Sequence, residues 1–60
     1  MMKKHHFVHN GIPGYVMDLG FDTLCITYGN ATFHTDHAFG RGSSFAPEFI
    51  ATVRRALTNS

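Results

Sequence analysis

The segment from Asp22 to His37 reads DTLCITYGNATFHTDH, and it decides the fold. Two runs of alternating apolar and polar residues flank Gly29 and Asn30. Gly-Asn suits a two-residue hairpin turn of type II′, in which glycine supplies the positive φ at the first central position. The sequence therefore predicts an antiparallel hairpin centred on these two residues.

This predicted turn assigns each neighbouring residue to one face of the hairpin. The mostly apolar face carries Asp22, Leu24, Ile26, Tyr28, Ala31, Phe33, Thr35 and His37. The polar face carries Thr23, Cys25, Thr27, Thr32, His34 and Asp36. A half-buried antiparallel pair alternates in this way, so the apolar face is expected to pack against another element.

The residues before this hairpin predict further strands. Residues 5–9 alternate loosely and form the first. Residues 10–14 hold two turn signals in tandem, Asn-Gly and Pro-Gly, and predict a loop of about five residues. Such a loop places Phe7 opposite Met17 and begins the second strand at Tyr15.

Gly20 admits two interpretations. A tight turn there gives four short strands in a meander, whereas a β-bulge gives three strands, one of them long and bent. A strand of about fourteen residues is rare in a small domain, which favours the turn.

A helix is predicted for the C-terminal part of the chain. Ser43 or Ser44 is expected to cap its N-terminus. Pro47 and Glu48 suit its first turn, where a missing N–H is tolerated and negative charge is favourable. The apolar residues that recur at helical spacing are Phe45, Phe49, Ile50, Val53 and Leu57. The expected fold is therefore α+β: a small antiparallel β-meander of three or four strands with one C-terminal α-helix packed across one face, in a single domain over residues 1–60.

A single helix is too narrow to cover such a sheet. A helix is about 10 Å wide, whereas four strands about 4.8 Å apart are wider. Phe7, Val16 and Phe21 are the residues expected to remain uncovered. Because a chain of 60 residues with one cysteine has a small core and no internal disulfide, oligomerisation is the expected remedy, and a homodimer is predicted.

The composition narrows the location and the partners. A lone cysteine, Cys25, suits a reducing compartment, so a cytosolic protein is expected. Residues 1–6 could open a signal peptide, but no apolar run follows them, and export is not expected. The apolar stretches are too short to span a membrane. The net charge of +1 is too small to indicate a polyanion partner by itself.

Three polar residues form the best candidate for chemistry. The predicted register places Cys25 opposite His34, with Asp36 on the same face, and these side chains could begin a zinc site. Their spacing matches no established zinc pattern, and a structural site usually uses more than one thiolate. The same three residues could also form a catalytic site, with Cys25 as nucleophile, His34 as base and Asp36 as the orienting group. A flat strand face offers no sheltered pocket for a substrate, so an enzyme is not expected.

Two features point to anions. Residues 40–44 (Gly-Arg-Gly-Ser-Ser) follow a strand and precede a helix, so their N–H groups and Arg41 could hold a phosphate. The segment lacks the third glycine of a dinucleotide fingerprint and the lysine of a P-loop. The basic residues are spread over both ends and one loop, although a dimer could gather them: Lys3, Lys4, Arg41, Arg54 and Arg55.

By elimination, the expected function is binding, with no cofactor. The chain is expected to dock on a larger protein, as small bacterial or phage accessory proteins and inhibitors do, which is an analogy and not a derivation. The expected contact residues are Phe21, Phe7, Val16 and Arg41. The alternatives are a small dimeric nucleic-acid-binding protein and a metal-binding module built on Cys25, His34 and Asp36.

Overall fold

The computed structural model describes residues 3–39 and 44–59. Its elements are β1 (His5–His9), β2 (Ile12–Gly20), β3 (Thr23–Tyr28), β4 (Ala31–Asp36) and α1 (Pro47–Thr58). The strands form one antiparallel sheet in the order β1-β2-β3-β4. The predicted α+β fold is confirmed, in its four-stranded version.

The hairpin of β3 and β4 has the predicted register. Cys25 lies opposite His34, and Ile26 lies opposite Phe33. Gly29 has a φ of +62°. Glycine is thus the residue that supplies the positive φ, as a type II′ turn requires at its first central position.

The predicted five-residue loop between β1 and β2 is wrong. Asn10 and Gly11 alone make the turn, with φ values of +53° and +77°, the pattern of the type I′ turn for which Asn-Gly is the preferred sequence. The Pro-Gly pair that follows belongs to β2. Phe7 therefore lies opposite Gly14, where the longer loop had placed it opposite Met17.

This register requires glycine at position 14, because the neighbouring atoms leave no room for a side chain there. A Cβ atom built on Gly14 would lie 2.5 Å from the carbonyl oxygen of Thr27 and 2.9 Å from Cζ of Phe7. The Phe7 ring thus packs directly on the backbone of β2. A glycine in a strand often marks such a close approach.

The core lies between the sheet and the helix. Its buried side chains are Phe7, Val16, Leu24, Ile26, Phe39, Phe49 and Val53. Phe7 and Val16 were expected to remain uncovered, and that expectation is wrong. The two-residue turn places both of them on the face under the helix, and Val16 is 0% exposed.

Two phenylalanines that lie between β4 and the helix in the sequence complete the cover of the core. Helix α1 packs over β1 and β2. Phe39 and Phe45 lie over the other half of the sheet, and the Phe45 ring is 5.3 Å from that of Phe33. One helix therefore does not have to span four strands.

The helix begins later than the capping serines predict. Its N-cap is Ala46, which has no side-chain oxygen, and Pro47 is the first helical residue. Proline disfavours a helical conformation in the residue before it, and Ala46 is accordingly extended, with φ −65° and ψ 145°. Ser44 therefore does not cap the helix, and Ser43 lies outside the described residues.

Candidate functional site

The turn between β2 and β3 presents the most exposed aromatic side chain that the structure describes. Gly20 pairs with Thr23, so Phe21 and Asp22 form a two-residue loop. Phe21 is fully exposed, at 102% of its reference area. A large apolar side chain in this position contributes no burial to the fold.

The backbone of this turn is strained. Phe21 and Asp22 have φ values of +52° and +62°, and Gly20 before them has +82°. Positive φ is ordinary for glycine and tolerated by aspartate, but it is a steric outlier for a bulky residue such as phenylalanine. The most exposed aromatic therefore sits on an unfavourable backbone conformation.

Polar side chains brace the turn on both sides. The Gly20 N–H donates to Oδ1 of Asp18 at 3.0 Å, and the Thr23 hydroxyl donates to the Phe21 carbonyl oxygen at 3.4 Å. The His37 N–H donates to Oδ1 of Asp22 at 3.4 Å, which ties the turn to the end of β4. These contacts hold the loop in one conformation.

A second polar contact links the same elements. Nε2 of His37 lies 3.2 Å from Oδ2 of Asp18, and both side chains are about half exposed. Asp22 and His37 were predicted to face each other, and they lie just beyond the paired ends of β3 and β4. They contact each other through the backbone N–H of His37 and the side chain of Asp22. Polar side chains therefore lie at the base of the Phe21 turn.

The structure places the other predicted contact residues elsewhere. Phe7 and Val16 are in the core and cannot meet a partner without unfolding. Arg41, together with the rest of the anion loop over residues 40–43, lies outside the described residues. Of the predicted contact residues within the described part of the chain, Phe21 alone is exposed.

The predicted pair of Cys25 and His34 is present, but its environment differs from the open polar face expected. Cys25 is only 7% exposed, although the helix lies on the opposite face. It lies on a central strand, between Met17 of β2 and His34 of β4, whose longer side chains flank the short thiol. Among the described residues, no three His, Cys, Asp or Glu side chains are arranged to hold a metal ion.

Sequence reasoning missed a cleft between β1 and the end of the helix. Its volume is about 460 Å³, and its lining includes Lys3, Lys4, His5, His6 and Arg55. Lys3 and Lys4 are far from Arg55 in the sequence, and the direction of the helix brings the three cationic side chains together. The helix starts near Asn10 and ends beside the first residues of β1.

No protein-family model, curated protein or solved structure was found to match this chain. Within residues 3–39 and 44–59, no helix is long and apolar enough to cross a membrane.

Proposed function

We propose that this protein is a small protein-binding module that docks Phe21 into an apolar pocket on a larger protein. The observation that carries the proposal is the full exposure of Phe21 on a backbone with a φ of +52°. The exposed ring adds nothing to the stability of the isolated chain, and the backbone conformation lowers that stability.

The magnitude of this cost supports a role outside the fold. A left-handed conformation costs a residue other than glycine about 1–2 kcal/mol. Small domains have a total stability of about 5 kcal/mol or more, so the strain is a sizeable fraction of it. Strained residues concentrate at binding and active sites, where the surroundings hold them in place.

The chemistry of the turn suits an interface. Aromatic side chains are common binding hot spots, and a hot spot is usually surrounded by a polar rim. Asp18, Asp22 and His37 supply such a rim at the base of the turn. Because hydrogen bonds already fix the loop, docking loses little conformational entropy.

The amino-acid composition supports a proposal for the cellular location of the protein. We place the protein in the cytosol, since a lone free cysteine suits a reducing compartment. A role as an accessory or inhibitor protein of a bacterium or phage remains an analogy. A homodimer also remains a prediction for light scattering, although the buried Phe7 and Val16 cannot form its interface.

Affinity capture with matched variants tests the proposal. The immobilised parent, Phe21→Ala and Ile12→Ala proteins are incubated with lysate of the native host, and the bound proteins are quantified by mass spectrometry. Ile12 is the control because it is another exposed apolar residue, 42% accessible on β2. We expect one set of proteins to be retained by the parent and by Ile12→Ala and lost with Phe21→Ala. Equal capture by all three would refute docking through Phe21.

A further inference from the structure

The cleft between β1 and the helix is a surface separate from the Phe21 turn, and the charged side chains that line it are all basic. Its cationic lining residues are Lys3, Lys4 and Arg55. All four acidic residues of the chain lie in its described part, and none of them lines this cleft. The cleft is therefore positive although the whole chain carries a formal charge of only +1.

The acidic residues lie at other places in the fold. Glu48 is in the first turn of the helix, and the cleft is at its last turn. Asp18 lines a neighbouring cleft, where it contacts His37. Asp22 is in the β2–β3 turn, and Asp36 ends β4. All four carboxylates therefore lie outside the cleft that Lys3, Lys4 and Arg55 line.

An aromatic side chain adjoins the cleft on the uncovered face of the sheet. Nζ of Lys4 lies 4.6 Å from the centroid of the Tyr15 ring, and the His6 ring is 5.8 Å from it. Lys4 and His6 also line the cleft. The cleft and the Tyr15 face are therefore one continuous surface.

The register extends this surface across the sheet. Tyr15 lies between His6 on β1 and Thr27 on β3, and Thr27 lies opposite Thr32 on β4. The four residues form a row on the face opposite the helix. The row offers one aromatic ring, one imidazole and two hydroxyl groups next to a cationic cleft.

We infer that this surface binds single-stranded nucleic acid. The cleft takes backbone phosphates through Lys3, Lys4 and Arg55. Lys4 leaves the Tyr15 ring to reach a phosphate, and an unpaired base stacks on the ring in its place. Cationic grooves beside aromatic side chains are the general means by which proteins hold single strands. A duplex keeps its base faces inside the stack, so Tyr15 would add nothing to duplex binding. This site is distinct from the Phe21 turn and does not depend on docking there.

Fluorescence anisotropy with a labelled DNA strand of about ten nucleotides tests the inference. With three phosphate contacts, the logarithm of the association constant should fall with the logarithm of salt concentration with a slope of about −2. Lys4→Gln and Arg55→Gln should each weaken binding. Each should also make that slope shallower, so that the number of phosphate contacts derived from it falls by about one. Tyr15→Leu should weaken binding roughly tenfold, whereas Tyr15→Phe, which keeps the ring, should bind like the parent.

A matched control separates local from overall charge. Asn30→Asp removes one unit of net charge, as Arg55→Gln does, but lies in the β3–β4 turn at the opposite end of the sheet. It should leave binding within about twofold of the parent. Circular dichroism and the melting temperature show whether each variant is folded. If Tyr15→Leu is not folded, the inference is tested by Lys4→Gln, Arg55→Gln and the comparison of the single strand with its annealed duplex.

Any one of five results would overturn the inference. Asn30→Asp weakening binding as much as Arg55→Gln does would indicate a diffuse charge effect. A folded Tyr15→Leu protein that binds as tightly as the parent, or polyglutamate that competes as well as the unlabelled strand, would indicate a generic anion or acidic-peptide site. The remaining two are an annealed duplex that binds as tightly as the single strand, and no binding at low salt.

Discussion

Asn10 and Phe21 occupy equivalent positions in two different turns of the same sheet. Each is the first residue of a two-residue hairpin loop, and their φ values are +53° and +52°. Asn-Gly, the pair found in the first loop, is the preferred sequence for this geometry. Phenylalanine in the second loop is not, so the chain holds the same backbone conformation once with a favourable residue and once with an unfavourable one.

The helix stripe is expected to be essential to the fold. Phe49 is buried, and its ring contacts those of Tyr28 at 5.0 Å, His9 at 5.4 Å and Phe45 at 5.5 Å. Phe49→Ala should lower the free energy of unfolding by about 3–5 kcal/mol, because it removes these contacts and leaves a cavity. Urea denaturation measures the change. A midpoint close to that of the parent would mean that the side chain is not in the core.

Gly14→Ala is expected to be strongly destabilising despite its small size. The added Cβ would lie within 3 Å of both the Thr27 carbonyl oxygen and the Phe7 ring. The backbone of β3 cannot move away without breaking its pairing with β2, so we expect a loss of about 1–3 kcal/mol, typical of overpacking. Thermal melting measures this loss of stability. A Gly14→Ala protein that melts like the parent would contradict the observed pairing of Phe7 with Gly14.

Cys25 and His34 are expected to have no part in docking. Cys25 is buried beside its partner strands, and His34 is exposed on the face opposite the helix. Cys25→Ala and His34→Ala should each leave partner binding within about tenfold of the parent, which corresponds to roughly 1.4 kcal/mol. Titration of the captured partner measures this. If either variant is folded and loses binding while Phe21→Ala retains it, the polar face would be the working surface.

Local sequence signals predicted the hairpin of β3 and β4 and the helix stripe. Gly29 with Asn30 sets the register of its own neighbours, and Phe49 and Val53 mark one helix face without reference to the rest of the chain. The register of β1 and β2 was missed because two turn signals compete within residues 10–14. The structure uses the first, and Gly14 becomes the strand residue on which Phe7 packs.

The features that the sequence could not predict depend on how the elements cross in space. Phe39 belongs to the core because it packs with the side chains between the sheet and the helix, although it follows the last strand. Lys4 and Arg55 share a cleft because the helix ends beside the start of β1. Residues fifty positions apart carry no local sign of this proximity, which follows only from tertiary packing.

The most direct test of the central claim is the stability of Phe21→Asn. Asparagine accepts positive φ more readily than phenylalanine and occupies the equivalent position at residue 10. If Phe21 is held in a strained turn for docking, Phe21→Asn should raise the free energy of unfolding by about 1 kcal/mol and abolish partner capture. Val8→Asn, at an exposed strand position, should give no such gain. Urea denaturation measures the change, and we expect a higher midpoint with an unchanged dependence of the unfolding free energy on urea concentration. A Phe21→Asn protein no more stable than the parent would contradict the account.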